Sequence, residues 1–137
     1  MIREAIAGGR RIVIAHPERY RYPHGSDPLD VMRRWRELGA LLQVNAGSFT
    51  GHYRDHRPES EALSWAMVAE RMVDIVGSDH HGPRRTGVSP LEAFEALCAR
   101  GERDLAVRAM EERPKAALAD EPIERGGPAL RTRAAGA

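Results

Sequence analysis

The run Ile75-Val76-Gly77-Ser78-Asp79-His80-His81 decides how the rest of the chain folds. An apolar stretch ends there in a carboxylate and an imidazole set two residues apart. In an extended chain successive side chains alternate faces, so Asp79 and His81 point one way and His80 the other. That geometry suits a shared metal ion. A second run of the same form, Ile12-Val13-Ile14-Ala15, ends in His16 and is followed by Pro17-Glu18-Arg19. As neighbouring parallel strands, the two runs would set His16, Asp79 and His81 at one rim of a sheet. In α/β folds that rim is where ligands bind.

Outward from these runs, strands and helices alternate. Residues 1–7 predict the last turns of a helix, with Ile2 and Ile6 spaced i, i+4 and Gly8-Gly9 as the stop. A domain rarely begins within a helix, which points to a missing upstream part, either on another chain or lost from the gene. Residues 11–16 predict a strand that is apolar on both faces and therefore interior and parallel. After a loop at 19–26, Ser26 or Asp27 caps a helix with Pro28 in its first turn, the apolar face Leu29, Met32, Trp35 and Leu38, and its end at Gly39. Residues 41–46 predict a second strand, with Gln43 and Asn45 on one face and Asn45 near the rim.

Residues 47–58 have loop chemistry at a length suited to binding. A helix opens at Pro58 or Glu59, passes Leu63, Met67 and Glu70 and reaches Arg71 or Met72. Residues 73–78 form the third predicted strand. Ser89-Pro90-Leu91-Glu92 is a capping box that starts a helix through Cys98 or Arg100, broken by Gly101. A last helix over 104–112 should halt before Pro114, with an extra turn through 115–118. From Ala119 onward neither periodicity nor apolar content remains, which predicts a domain over 1–118 and a disordered tail over 119–137. The fold class expected from this order is α/β, a parallel sheet with right-handed crossovers.

Bulk properties narrow the function. The chain has 137 residues, enough for one domain with a modest core. Its 21 basic and 20 acidic residues leave a net charge of +1, which gives a polyanion-binding role no support, and the sequence shows no strong basic groove for nucleic acid. Lys115 is the one lysine, so arginine is the default cation here and its presence at any position says little. The single cysteine, Cys98, forms no internal disulfide, and a reducing cytosol is the expected compartment. A signal-peptide core and an apolar run near 18 residues are both absent, so no membrane span is expected.

Three ordered motifs carry a family resemblance. His16-Pro17-Glu18-Arg19-Tyr20, then Leu42-Gln43-Val44-Asn45-Ala46-Gly47-Ser48 with Gly51, then Ser78-Asp79-His80-His81 followed by arginine, resemble the C-terminal half of the bacterial PHP-type tyrosine phosphatases. That family is associated with capsular and exopolysaccharide synthesis, and the likeness covers roughly residues 11–118. It implies a partial PHP-like distorted (β/α) barrel around a metal cluster. It further implies that His16, Asp79 and His81 are metal ligands, for Mn²⁺ or else Fe or Zn²⁺, and that Arg19 contacts phosphate. One of Arg84 or Arg85 would be the second phosphate-binding arginine, although the family pattern sets it a residue or so later, where this chain has Thr86. The implied substrate is a phosphotyrosine protein, such as a bacterial tyrosine kinase. The family's opening His-x-His motif is absent from this sequence. This chain is therefore expected to be weakly active or inactive alone and to associate with a missing N-terminal half or with itself. Two other readings stay open, a non-catalytic remnant or interaction module and a PHP phosphoesterase acting on a small phosphate metabolite.

Other polar residues have plainer expectations. Glu18 orients Arg19 or is solvated, and His80 packs or supports a ligand from behind. Asn45, Ser48 and His52 are expected to serve loop packing, while His24 and His56 are expected to be exposed. Trp35, Trp65, Met32 and Met67 occupy helix positions at core spacing. A thiol-based phosphatase needs arginine six positions after its cysteine, but Asp104 stands there after Cys98, which predicts an inert thiol.

Overall fold

The computed structural model describes residues 1–82 and 87–125. Helix α1 (Ile2–Ala7) leads into strand β1 (Val13–Ala15) and a 3₁₀ turn at Pro17–Arg19. Helix α2 (Pro28–Glu37) begins where the Asp27 carboxylate accepts from the Leu29 N–H at 2.9 Å, one of the two N-caps the sequence offers. It delivers the chain to β2 (Leu41–Asn45), and α4 (Glu59–Ala69) then carries it to β3 (Ile75–Gly77). The three strands are parallel in the order β1-β2-β3, with Ile14 opposite Leu42 and Val44 opposite Val76.

The central strand is β2, not β1. Within the described sheet β1 has a neighbour on one side only, and Val13 is 43% exposed. An apolar, β-branched run of this length does not distinguish a central strand from an edge strand, and here the edge position prevails. Leu42 and Val44 are fully buried, as are Met32 and Met67 from the helices that flank them. Trp35 and Trp65 pack against this core while remaining partly exposed. Cys98 also packs at its margin, away from any phosphate cradle.

The stretch expected to be loop from residue 47 starts with a buried helical turn, α3 (Ala46–Phe49). Asn45 causes it, because its Oδ1 accepts from the Gly47 N–H at 2.9 Å at the strand's last residue. Further on, α5 (Pro90–Ala99) has the expected cap, with the Ser89 hydroxyl accepting from the Glu92 N–H at 3.2 Å. The last helix does not halt before Pro114. It runs as α6 (Arg103–Val107), a π-helical segment (Arg108–Glu112) and α7 (Arg113–Leu118). The wider π turn lies where a proline ring would meet a carbonyl four residues back, and so lets the helix continue.

Residues 119–125, assigned to the tail in the sequence reading, lie against the body. The Arg113 Nε donates to the Glu124 carbonyl at 3.0 Å and the Arg125 Nη1 to the Arg36 carbonyl at 2.8 Å. Among the described residues no helix is long and apolar enough to cross a membrane.

Candidate active site

At the C-terminal ends of the strands the backbone turns sharply at two places. β1 is followed at once by His16, whose N–H still donates to the Gln43 carbonyl at 2.8 Å but whose φ is 53°. Asp79, two residues beyond β3, has φ 52°. A positive φ is uncommon for residues other than glycine and is kept where surrounding structure imposes it. These two turns bring the side chains together. His16 Nε2 lies 3.1 Å from Asp79 Oδ1, and Arg19 Nη1 lies 3.6 Å from Asp79 Oδ2.

His81 also arrives at Asp79, by a different route from the one alternation predicts. β3 stops at Gly77, so the extended pattern does not reach residues 79–81. Instead the chain curls so that His81 Nδ1 approaches the Asp79 carbonyl at 2.7 Å and Asp79 Oδ1 at 3.4 Å. A carbonyl only accepts, so Nδ1 donates here, which in the neutral ring leaves the lone pair on Nε2. The same curl sends His80 into the cleft, where the expectation had it facing away.

Glu18 is neither solvated nor spent on Arg19. It is 1% exposed, and its Oε1 accepts from the Asn45 N–H at 2.9 Å and from the Ser48 hydroxyl at 2.9 Å. Glu18 thereby fastens the 3₁₀ turn that launches Arg19 to the end of β2 and the start of α3. Burial raises its pKa above the ordinary carboxylate value, and the bonds from Asn45 and Ser48 partly offset that. Ser48, expected to serve loop packing, is part of this tether.

A cleft of about 570 Å³ opens beside these groups. Arg19, Asp79 and Ser78 form one side, and Val88 closes another. The rest comes from the loop after α3, through His52, Tyr53, His56 and Arg57. The Arg19 guanidinium lies 4.1 Å from the centre of the Tyr53 ring, a cation–π contact that orients it, and His52 meets the same ring edge-on at 4.9 Å. Burial raises the Tyr53 pKa, while the charge of Arg19 pulls it back. Gly47 makes this packing possible. A Cβ there would stand 3.0 Å from both Tyr53 and Val88.

Tyr53 and Arg57 were not singled out from the sequence. Loop composition announces binding chemistry but not which side chains turn inward. Arg84 and Arg85 lie outside the described residues.

Imidazole nitrogen and carboxylate oxygen are suitable donors for Mn²⁺, Fe or Zn²⁺. His16 Nε2 and Asp79 Oδ1 have the separation of two ligands on one ion, and the buried His16 Nδ1 has no hydrogen-bond partner among the described residues. His81 does not complete a set as placed, because the ring nitrogen that faces Asp79 is Nδ1, which the Asp79 carbonyl engages. Among the described residues no group of three or more His, Cys, Asp or Glu is arranged to hold a metal ion. The fit is that of one corner of a metal site.

The model of the capsular polysaccharide synthesis family CpsB/CapC matches residues 1–118. Among solved structures, one from a study of YwqE from Bacillus subtilis and CpsB from Streptococcus pneumoniae, described as unique metal-dependent tyrosine phosphatases, superposes with a TM-score of 0.79 at 25% identity. The match covers 93% of this chain and 49% of that one, so the chain spans about half the length of its structural relative. No curated protein sequence matches significantly.

Proposed function

We propose that this chain, which belongs to the CpsB/CapC capsular polysaccharide synthesis family, carries the phosphate-gripping part of a metal-dependent phosphotyrosine phosphatase site. One observation carries the reading. His16, Arg19 and His81 all approach the Asp79 carboxylate, at 3.1, 3.6 and 3.4 Å, at the rim of a parallel sheet.

In this proposal Arg19 donates to the oxygens of the phosphoryl group, with a planar fork that matches them and a direction set by Tyr53 and by the Glu18 tether. One of Arg84 or Arg85 adds a second grip. His16, Asp79 and His81 form the side of the site that faces a divalent ion, Mn²⁺ or else Fe or Zn²⁺. Such an ion supplies a nucleophile at neutral pH and charge stabilisation. Asp79 also holds His16 and Arg19 in mutual register, so the group that positions phosphate and the group that faces the ion share one carboxylate. The substrate would be a phosphotyrosine protein such as a bacterial tyrosine kinase, met in a reducing cytosol.

Manganese prefers about six donors, and a bridging nucleophile needs two ions about 3.5–4 Å apart. This sequence contains no His-x-His motif to provide the remainder. Weak turnover or none is therefore expected from the chain alone, with activity restored by a complementary N-terminal half. The absence of a three-ligand group among the described residues equally favours a second reading, a non-catalytic module that keeps the fold.

Titration of the 137-residue chain with a non-hydrolysable phosphotyrosine analogue separates the two. Binding that falls about tenfold in Arg19→Ala is expected if the phosphate grip is real. Equal affinity of chain and variant would leave the module reading. Efficient turnover by the purified chain with two or more metal ions bound would overturn the expectation of dependence on a second half.

A further inference from the structure

We propose that the cleft beyond Arg19 is an anion subsite, in which Arg57, flanked by His56 and His80, binds an acidic group next to the phosphotyrosine of the substrate. The proposal rests on the phosphatase reading and adds to it a substrate class, phosphopeptides with a second negative group beside the phosphate.

The charges around the cleft point this way. Among the described residues Asp79 is its one lining carboxylate, and it already faces His16, Arg19 and His81. The same cleft is lined by Arg57 and three imidazoles, those of His52, His56 and His80. Two arginines on the same loop behave differently. Arg54 is spent outside the cleft, its Nε and Nη2 donating to the two carboxylate oxygens of Glu61 at 2.9 and 3.2 Å. Arg57 lines the cleft, and no carboxylate among the described residues pairs with it. A guanidinium facing a concave surface and lacking a counter-charge is a site for an anion.

The backbone that presents Arg57 is fixed before any ligand arrives. The N–H groups of His56 and Arg57 both donate to the Tyr53 carbonyl, at 3.0 and 2.6 Å. The Arg57 carbonyl in turn accepts from the Ser60 N–H at 3.1 Å and the Ser60 hydroxyl at 2.8 Å. Tyr53 thus organises both ends of the cleft, stacking under Arg19 with its ring and anchoring Arg57 with its carbonyl. The volume, about 570 Å³, lies within the range of small-ligand clefts and exceeds what a phosphoryl group alone fills. Val88 and the Tyr53 ring supply apolar wall for an aryl group between the two cations.

The second anion could be a carboxylate or another phosphate, and peptide binding to the 137-residue chain distinguishes these sources. Three phosphotyrosine peptides are compared by fluorescence anisotropy, with glutamine neighbours, with glutamate neighbours and with a second phosphotyrosine, beside an unphosphorylated glutamate peptide. The expected result is about tenfold tighter binding of the glutamate phosphopeptide than of its glutamine counterpart, and a larger ratio for the doubly phosphorylated one if phosphate is the natural group. In Arg57→Gln the ratios collapse towards one, in Arg57→Lys part of each returns, and in Arg54→Gln they persist.

Ratios near one in the unaltered chain, or ratios that survive Arg57→Gln, overturn the subsite. Arg19→Gln tests the underlying reading separately, since it should weaken every phosphopeptide. If Arg57-dependent binding of the unphosphorylated glutamate peptide is seen while Arg19→Gln changes nothing, the subsite stands and the phosphatase reading falls. Absence of binding in every arm overturns both.

Discussion

The two ends of the three-stranded sheet hold their charges in opposite ways. At the N-terminal end Asp74, just before β3, is fully buried, and its carboxylate accepts from the Leu42 N–H at 2.9 Å and from Arg36 Nη2 at 3.0 Å. Arg113, from the last helix, donates to the Val73 and Asp74 carbonyls at 3.1 Å each, and Arg125 donates to carbonyls at the end of α2. Burial lowers the pKa of Arg113, and the Asp74 charge restores part of it. At the C-terminal end the ionic groups stand further apart, and His16 Nδ1, Glu18 Oε2 and Arg19 Nε are buried without hydrogen-bond partners among the described residues. Buried polar groups are normally paired, so the first end reads as a fastening and the second as a place where something else completes the bonding.

The largest test of that contrast is Asp74→Ala. It removes one member of a buried ion pair and leaves the Leu42 N–H and the Arg36 guanidinium without their carboxylate, a loss of about 3–5 kcal/mol. Urea denaturation should show the midpoint falling steeply, with an unfolded chain as the extreme outcome. A change below about 1 kcal/mol would mean that the N-terminal end is not the fastening described. Glu18→Ala comes next. Two buried donors, the Asn45 N–H and the Ser48 hydroxyl, lose their acceptor, which costs about 1–3 kcal/mol for such groups. Because Glu18 also fixes the turn before Arg19, phosphotyrosine-analogue affinity should fall with stability, whereas Asp74 variants that still fold should keep it.

Arg19→Ala reverses the pattern. Its contact with Asp79 is 3.6 Å long and partly exposed, a geometry worth at most about 1 kcal/mol, so the denaturation midpoint should move little. Affinity for the phosphotyrosine analogue should fall about tenfold. A variant with equal losses in both measurements would place Arg19 among the structural arginines and remove the distinction between the two ends.

Much of this arrangement was legible in the sequence because it depends on short-range chemistry. Asp27 and Ser89 announce their helices by side-chain capping, and the runs ending in His16 and Asp79 announce parallel strands by composition. Their joint position at one rim then follows from topology alone. What escaped depends on backbone or burial that one residue cannot reveal. The positive φ at Asp79 cancels the alternation that put His80 on the far face, and the π segment before Pro114 needs the whole helix to be docked. Glu18 looks like any charged turn residue until β2 and α3 bring Asn45 and Ser48 to it. Tyr53 and Arg57 sit among Gly51, His52, Arg54, Asp55 and His56, where every residue is compatible with a solvated loop. The close packing at Gly47 fixes Tyr53, and the Tyr53 carbonyl in turn fixes the backbone of Arg57.

His81→Ala gives the smallest expected change in stability and tests the most specific part of the comparison. His81 is 58% exposed and bonds only within its own turn, so the denaturation midpoint should correspond to a loss within about 0.5 kcal/mol. Its Nε2 lone pair is nevertheless the one free donor that a rotation of the ring could add to the corner formed by His16 and Asp79. Calorimetric titration with Mn²⁺ should therefore give weaker binding for His81→Ala than for the unaltered chain, by about tenfold, the loss typical when a metal site is deprived of a supporting group. If the two titrations coincide, the ion does not draw His81 away from the Asp79 carbonyl. The curl at residues 79–81 is then a structural turn, and the C-terminal end of the sheet offers an ion only His16 and Asp79.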